Sequence, residues 1–482
     1  MQLEQCLAQV KHELRGQNVT VSSLELDSRR VSEGALFFCI PGVRVDGHTF
    51  AKDVEQKGAA ALIVDHFLDD ISIPQVKVED VHAAMSHIAA NFYGNPVKKL
   101  KMLAVTGTNG KTSATYMMKQ IAEFCGKKVG LMGTIANYIG DKQIAANLTT
   151  PDPIQLQELL AMMVEENVDW VVMEASAHAL ALRKLEGIVY DAAVFSNLTE
   201  DHLDFFGDME NYFLAKTKLF TKHLAKQAVI NIDDAYGARL VGLSEVPVAT
   251  YAKDCDADLR ATNVVSSIDG VSYTLEAEGK SYAVKIAIPG AFTVYNSLSA
   301  IGACRAMGLT LDEIVEALIH MPCVRGRCES LDTQGRPFGV ILDYAHTPDA
   351  LVNILTTVRQ FTKNRLIAVF GCGGDRDPIK RPIMGQMAAQ YADLCIVTSD
   401  NPRTEDPMSI IEAILPGVKG EGKPYEVIEN RREAIDRALH IAGEGDVIVL
   451  AGKGHETYQD IMGVKHHFDE KEVVAELLQQ MK

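Results

Sequence analysis

No stretch of this chain approaches the ~20 apolar residues that cross a bilayer, so membrane insertion is not expected. The first sixteen residues, MQLEQCLAQVKHELRG, lack an apolar signal core and carry instead the spacing of an amphipathic helix. Basic charge is scarce: 47 Lys and Arg stand against 64 Asp and Glu, a net charge of −17. That balance argues against a nucleic-acid or anionic-membrane partner, and any anionic ligand must be held by local basic groups. The nine cysteines form no C-x-x-C pair and no zinc-like Cys/His array. They read as reduced thiols of a cytoplasmic protein. Internal repeats and low-complexity segments are absent. What remains is an ordinary globular composition, 47% hydrophobic and 23% charged. At ~150 residues per domain, 482 residues predict about three domains.

The chain is organised around residues 101–126, KMLAVTGTNGKTSATYMMKQIAEFCG. Residues 102–105 form a short apolar run, the pattern of a buried strand. Gly107, Thr108, Asn109 and Gly110 lie in the loop that follows, and Lys111 opens a helix that Gly126 stops. Tyr116, Met117, Ile121 and Phe124 give that helix an apolar stripe. Strand, glycine loop and helix make a phosphate cradle. The glycines let backbone N–H groups approach an anion, and the helix N-terminus adds partial positive charge. Lys111 can reach the β- and γ-phosphates of a nucleotide, and the Thr112 hydroxyl can ligate Mg²⁺. The strict eight-residue pattern has Gly where this chain has Val105, and a plain strand–helix turn is the alternative.

Residues 1–98 alternate short strands, at 34–40 and 60–64, with a helix at 81–93. Asp27-Ser28-Arg29 and Asp46-Gly47-His48 flank the first clear strand and read alone as turns. In residues 99–322, three strands deliver polar residues just past their C-terminal ends, where ligands bind in open α/β sheets. One leads to Thr149-Thr150-Pro151-Asp152, one ends on Glu174-Ala175-Ser176, and one ends on a loop reaching His202. Glu174 is placed to act on a metal near Thr112, and His202 can add a second ligand or a phosphate contact. Lys216 reads by itself as a solvated helix lysine. Asn296, just inside an Ala-rich helix, fits either a helix cap or a base contact.

From 323 to 482 the strand–helix alternation returns. Successive strands end on Asp343-Tyr344-Ala345-His346, on Gly371-Cys372-Gly373-Gly374-Asp375-Arg376, on Ser399-Asp400-Asn401-Pro402-Arg403 and on Ala451-Gly452-Lys453-Gly454-His455-Glu456. The glycine cluster fails as a dinucleotide fingerprint because the third glycine would fall at Arg376. Arg376, Arg381, Arg403 and Lys453, mixed with Asp375, Asp400 and Glu456, suit a zwitterionic ligand better than a phosphate chain.

In this order, and over nearly the whole chain, these residues resemble the Mur ligases, ATP-dependent enzymes that form amide bonds in peptidoglycan precursor synthesis. Thr106-Gly107-Thr108-Asn109-Gly110-Lys111-Thr112 is similar to the family's phosphate loop, which accounts for Val105. Asp27-Ser28-Arg29, Asp46-Gly47-His48, Thr149-Thr150-Pro151, the stretch 343–348 and Asp400-Asn401-Pro402-Arg403 resemble members that extend UDP-N-acetylmuramoyl-L-alanyl-D-glutamate. The last of these is similar to the signature for adding meso-diaminopimelate rather than L-lysine. The resemblance implies an α/β protein of three domains. A central parallel-sheet phosphate-loop ATPase domain (99–322) would be flanked by an N-terminal α/β UDP-binding domain (1–98) and a C-terminal Rossmann-like domain (323–482). It implies ATP and Mg²⁺ as cofactors, small-molecule substrates and a monomer.

The resemblance also assigns roles. Ser28 with Val43, Arg44 and Val45 would hold the uridine end, and Thr149, Thr150, Ser176 and Lys184 the rest of that substrate. Gly107, Thr108, Asn109, Gly110, Lys111, Thr112, Ser113, Asn296, Asp343 and His346 would bind ATP. Lys111, Glu174, His202, Lys216 and Arg327 would carry catalysis. Lys216 matches a family lysine that carries a carbamate and, with Thr112, Glu174 and His202, holds Mg²⁺. Arg376, Asp400, Asn401, Pro402, Arg403, Gly452 and Glu456 would bind the incoming amino acid. The chain departs from the family at Ala177, Lys184, Thr293 and Pro378-Ile379, where Ser, Arg, Asn and a glycine are usual. An L-lysine-adding ligase, or one acting on another carboxylate, is the alternative.

Overall fold

The computed structural model describes residues 1–42, 45–146, 148–321 and 325–481. Val43 and Arg44, two of the expected uridine contacts, lie outside the described residues. The chain divides into two compact units: Met1–Arg260 with Asn296–Ala317, and Ala261–Tyr295 with Leu318–Lys482.

The first unit opens on a five-stranded sheet in the order Glu13–Arg15, Gln75–Lys77, Ala61–Val64, Ala35–Phe38, Ser23–Glu25. Its neighbours are parallel except for the antiparallel edge strand Glu13–Arg15. Ala35–Phe38 and Ala61–Val64 are buried throughout, because alternate residues feed two cores. Leu36, Phe38 and Ile63 enter one, and Phe37, Leu62 and Val64 the other. The expected N-terminal amphipathic helix is only Leu3–Cys6 long. Leu3, Cys6 and Leu7 are buried as the spacing required. The chain then turns at Gln9, whose φ is +64°, and Glu13–Arg15 pairs with Gln75–Lys77. Edge pairing satisfies backbone groups that a one-turn helix leaves open.

A larger sheet follows in the same unit. Parallel strands run Val129–Met132, Trp170–Glu174, Lys101–Thr106, Ala192–Phe195, Ala228–Asn231, Val248–Ala252, and two antiparallel strands, Asn137–Ile139 and Lys142–Ile144, extend one side. The glycine-loop strand Lys101–Thr106 sits mid-sheet between Trp170–Glu174 and Ala192–Phe195, so three strand ends meet at one edge. Helix Lys111–Phe124 buries Ala114, Met117, Met118 and Ile121. Phe124, expected in the buried stripe, is 52% exposed in the last turn, and Ala114 and Met118 complete the face instead.

The second unit has a six-stranded sheet in the order Glu329–Leu331, Gly339–Asp343, Val447–Ala451, Leu366–Phe370, Leu394–Val397, Tyr425–Val427, parallel beyond its first strand. Ile341, Ala368, Phe370, Val397 and Val449 face one core, while Leu342, Ile367, Val369, Ile396 and Ile448 face another. Helices Pro348–Arg359, Lys380–Tyr391 and Pro407–Gly420 supply the first core, and Arg431–Ile441 and Glu470–Gln480 the second. This is the doubly covered α/β sheet that the strand–helix alternation predicts. No helix among the described residues is long and apolar enough to cross a membrane.

Candidate active site

In the first unit the glycine loop is locked from the neighbouring strand end. Asn109 N donates to Asn197 Oδ1 at 2.9 Å, Asn197 Nδ2 donates back to Asn109 O at 3.1 Å, and Thr108 N donates to Asn197 O at 2.9 Å. The Ser196 hydroxyl donates to Asn109 O at 2.7 Å. A Cβ on Gly107, whose φ is +144°, would fall 1.9 Å from the Ser196 Oγ. One on Gly110, at φ +86°, would fall 2.4 Å from Asn296 Oδ1. Positive φ favours glycine at both positions, and at Gly107 the Asn197 backbone, 3.0 Å from such a Cβ, crowds the site as well. Asn296 lies inside the helix Phe292–Ala306, not at its start, so it is not a cap; its buried side chain lies against the glycine loop. Lys111 Nζ curls back to Gly107 O and Thr108 O at 2.9 and 2.8 Å, and Ser113 sits half-buried in the same helical turn.

Glu174 is fully buried at the end of its strand. It accepts from Thr112 Oγ1 at 3.0 Å, from Thr134 N at 2.9 Å and from Thr134 Oγ1 at 3.1 Å. Hydroxyl and carboxylate oxygens in contact are the hard donors Mg²⁺ prefers, so these residues fit that ion. Thr149 shares a hydrogen bond with Thr134, and Thr150 ties Ser176 to the backbone carbonyl of Glu174. Lys184 pairs with Asp152 at 2.9 Å.

Lys216 overturns its solvated-helix reading. It is 1% exposed, and its Nζ donates to Gly107 O at 2.9 Å and lies 4.4 Å from the Tyr212 ring centre. Burial first, and nearby Lys111 second, hold its pKa well below the ordinary lysine value. His202 has a left-handed backbone, φ +55°, and its ring meets His178 edge-on at 4.7 Å. It makes no hydrogen bond to Thr112, Glu174 or Lys216.

Ser28 lies in a turn beside a cleft of about 470 Å³ lined by Glu25, Asp27, Arg30, Asp152 and Glu158 among others. Burial and neighbouring carboxylates raise the pKa of Glu25. Such an acidic cleft suits a neutral base and ribose better than a diphosphate. Val45 is exposed.

In the second unit, Asp343 Oδ2 accepts from Cys328 N at 2.8 Å, and the Arg327 guanidinium lies 5.1 Å from the Tyr344 ring centre. His346 Nδ1 bonds Tyr344 O at 2.9 Å. Asn401 donates to Glu456 at 2.8 Å, and buried Lys453 donates to both at 3.1 Å. Asp400 is buried with Oδ2 lacking a hydrogen bond. A Cβ on Gly452 would fall 2.5 Å from that oxygen. Beneath them fully buried Arg431 bonds Glu470, Ser399 O and Ala451 O, with Asp400 Oδ2 at 3.8 Å. Pro402 is buried, and Arg403 donates to Gly374 O without pairing a carboxylate. Arg376 is exposed and joins no side chain here. The sequence reading did not single out Thr134, Asn197, Tyr212 or Arg431, which carry no local signal, whereas Lys453 stood among the charged residues expected to meet a zwitterionic ligand.

A strand-end glycine loop backed by a buried carboxylate, in a chain that also carries a doubly covered α/β unit, is the architecture of a phosphate-loop enzyme. Three family models match: "Mur ligase family, catalytic domain" over residues 20–93, "Mur ligase middle domain" over 105–304 and "Mur ligase, glutamate ligase domain" over 326–454. The UDP-N-acetylmuramoyl-L-alanyl-D-glutamate–2,6-diaminopimelate ligase of Clostridium botulinum is 47% identical over 466 residues, 96% of each chain. The protein of that name from Caldanaerobacter subterraneus is 47% identical over 480 residues, 99% of each. A solved structure bearing the same enzyme name, 34% identical, superposes with a TM-score of 0.70 over 95% of both chains. The chain belongs to the Mur ligase family.

Proposed function

We propose that this chain is an ATP-dependent ligase that adds meso-diaminopimelate to UDP-N-acetylmuramoyl-L-alanyl-D-glutamate in peptidoglycan precursor synthesis. One observation carries the choice of amino acid: the Arg403 guanidinium, beside the polar basin of Asp400, Asn401 and Glu456, donates to Gly374 O and makes no ion pair with a carboxylate among the described residues. Full-length relatives of 44–47% identity bearing that enzyme's name support the reading.

The D-glutamate side-chain carboxylate attacks the γ-phosphate of ATP, giving an acyl phosphate and ADP. The diaminopimelate amine then attacks the acyl carbon, losing a proton, and phosphate departs. Lys111 and Arg327 offset charge on the transferring phosphoryl group. Mg²⁺, when bound, would neutralise phosphate charge; Thr112, Glu174, His202 and a carbamate on Lys216 would hold it. Asn296, Asp343 and His346 serve ATP, and Ser28, Thr149, Thr150, Ser176 and Lys184 the nucleotide dipeptide. By this reading residues 1–98, 99–322 and 323–482 handle the nucleotide dipeptide, ATP and the amino acid.

The test is ADP release with the muramoyl dipeptide nucleotide, together with product mass from a mixture of amino acids. A product heavier by one diaminopimelate residue is expected. ADP formed equally fast without any amino acid would defeat the ligase reading, and a lysine adduct would move the reading to an L-lysine-adding ligase.

A further inference from the structure

The loop that carries Asp400, Asn401 and Arg403 is held largely from outside. Arg403 sits at φ +51°, a sparsely populated backbone region for a side chain of its size. Both its backbone polar groups are paired outside the loop: its N–H donates to Asp460 O at 3.0 Å, and its carbonyl accepts from Met462 N at 2.7 Å. Asp460 N donates to Asn401 Oδ1 at 3.0 Å, and Gln459 Nε2 donates to Asp400 O at 2.7 Å. All four bonds come from one hairpin, Tyr458–Ile461 paired antiparallel with Val464–His467. Met462 and Gly463 form its tip, both with positive φ (+53° and +77°), the signature of a tight two-residue turn.

The hairpin contributes no residue to either buried core of its unit, and Ile461, Met462 and Val464 are exposed. Gln459, Asp460 and Met462 bond the loop instead. We infer that this hairpin is a specificity clamp: Gln459 and Asp460 are positioning residues that fix Arg403 and Asn401 for the far end of the incoming amino acid. The inference rests on the ligase reading above. Selectivity between two amino acids with one common head and different far ends is set by where that guanidinium stands. A shift of ~1 Å at such a group costs a large factor in rate.

Two variants test it. Gln459→Ala removes the donor to the Asp400 carbonyl. Gly463→Val strains the turn through its backbone alone, since a Cβ there meets nothing within 4 Å. For each, KM and kcat are measured with diaminopimelate and with L-lysine, alongside KM for the nucleotide dipeptide and the melting temperature. The expected result is a roughly tenfold to hundredfold rise in KM for diaminopimelate. The diaminopimelate-to-lysine ratio of kcat/KM should fall, with KM for the nucleotide dipeptide and the melting temperature little changed. An unchanged ratio in both variants, or equal losses for both amino acids, would overturn the clamp. Wild-type enzyme showing no amine-dependent ADP release would instead overturn the ligase reading on which it rests.

Discussion

A lysine buried beside a second lysine is a poor ammonium, even where a backbone carbonyl accepts from it and a tyrosine ring faces it. Lys216 is in that position, and burial lowers its pKa more than any other cause. A lowered pKa means that the neutral amine gains share as pH rises through the folded value, well below where a free lysine would deprotonate. Neutral amine adds CO₂ to give a carbamate and a proton, converting the buried cation to an anion. Activity should therefore fall in CO₂-depleted buffer and return with bicarbonate. A carbamate carbon signal from ¹³C-bicarbonate should be present in wild type and absent in Lys216→Ala. Full activity with an unmodified ammonium would refute it. Arg403 supports a second prediction. A guanidinium grips a carboxylate through two parallel hydrogen bonds, and with lysine bound it would face an amine instead. A desolvated charge left without its partner costs ~2–5 kcal/mol, or roughly 30- to 3,000-fold. Arg403→Ala should lose most diaminopimelate activity while the low lysine activity changes little, read as kcat/KM for each amino acid; equal losses would make the arginine structural. Arg403 stood in a strand-end cluster of the sequence, whereas Lys216 was singled out by the family resemblance alone. The burial of Lys216 was not legible, because its helical neighbours Leu214, Ala215 and Thr217 look like any surface helix. The loop carbonyl it meets, from Gly107, lies far away in the chain. Arg431 was hidden for the same reason: its partners come from residues 399, 400, 451 and 470.

At the scale of elements, short continuous apolar runs and strand-end clustering carry the legible part of the fold. The strands ending at Glu174, Asp343 and Ala451 stand where apolar runs stopped. What was not legible is the outcome of competition, as at the N-terminus, where a helical spacing yields to an edge strand, and at Phe124, where the buried face rotates away from the last turn. The glycine loop is the element whose local conformation and long-range packing agree most closely. Gly110 ends it at φ +86° against Asn296, and helix Lys111–Phe124 begins at the next residue. Gly110→Ala meets two penalties: left-handed backbone with a Cβ, costing ~1–2 kcal/mol, and displacement of the Asn296 side chain. Because the helix is anchored by Met117, Met118 and Ile121, the fold should survive with far-UV circular dichroism unchanged. ATP-analogue affinity should drop about tenfold or more, measured by calorimetric titration, since ~1.4 kcal/mol is tenfold. Wild-type affinity in a folded Gly110→Ala protein would remove this loop from the nucleotide site.

At the scale of the whole molecule, the two compact units carry separate buried cores. The first is built on the two sheets that hold the acidic cleft and the glycine loop, and the second on the sheet that holds Asp400 and Arg403. Units with their own cores need not unfold together, and a chain of this size departs readily from a single two-state transition. Calorimetry should therefore resolve at least two components. The proposed sites predict which component each ligand moves. A ligand that binds only the folded form stabilises by RT ln(1 + [L]/Kd), about 2.7 kcal/mol at a hundredfold excess over Kd. At roughly 2 cal/mol/K of unfolding entropy per residue, that corresponds to an upward shift of about 5 °C for the larger first unit and about 6 °C for the second. The nucleotide dipeptide, whose proposed contacts Thr149, Thr150, Ser176 and Lys184 all lie in the first unit, should raise the component belonging to that unit. Diaminopimelate, whose proposed contacts Asp400, Asn401, Arg403, Gly452 and Glu456 all lie in the second, should raise the other. Assignment of the components comes from the single tryptophan, Trp170, which is buried in the strand Trp170–Glu174 of the first unit and reports that unit's unfolding. A tryptophan transition raised by the nucleotide dipeptide and indifferent to diaminopimelate is the expected result. A single calorimetric component, with van't Hoff and calorimetric enthalpies equal and both ligands raising the tryptophan transition alike, would show that the two units unfold as one and would defeat the prediction.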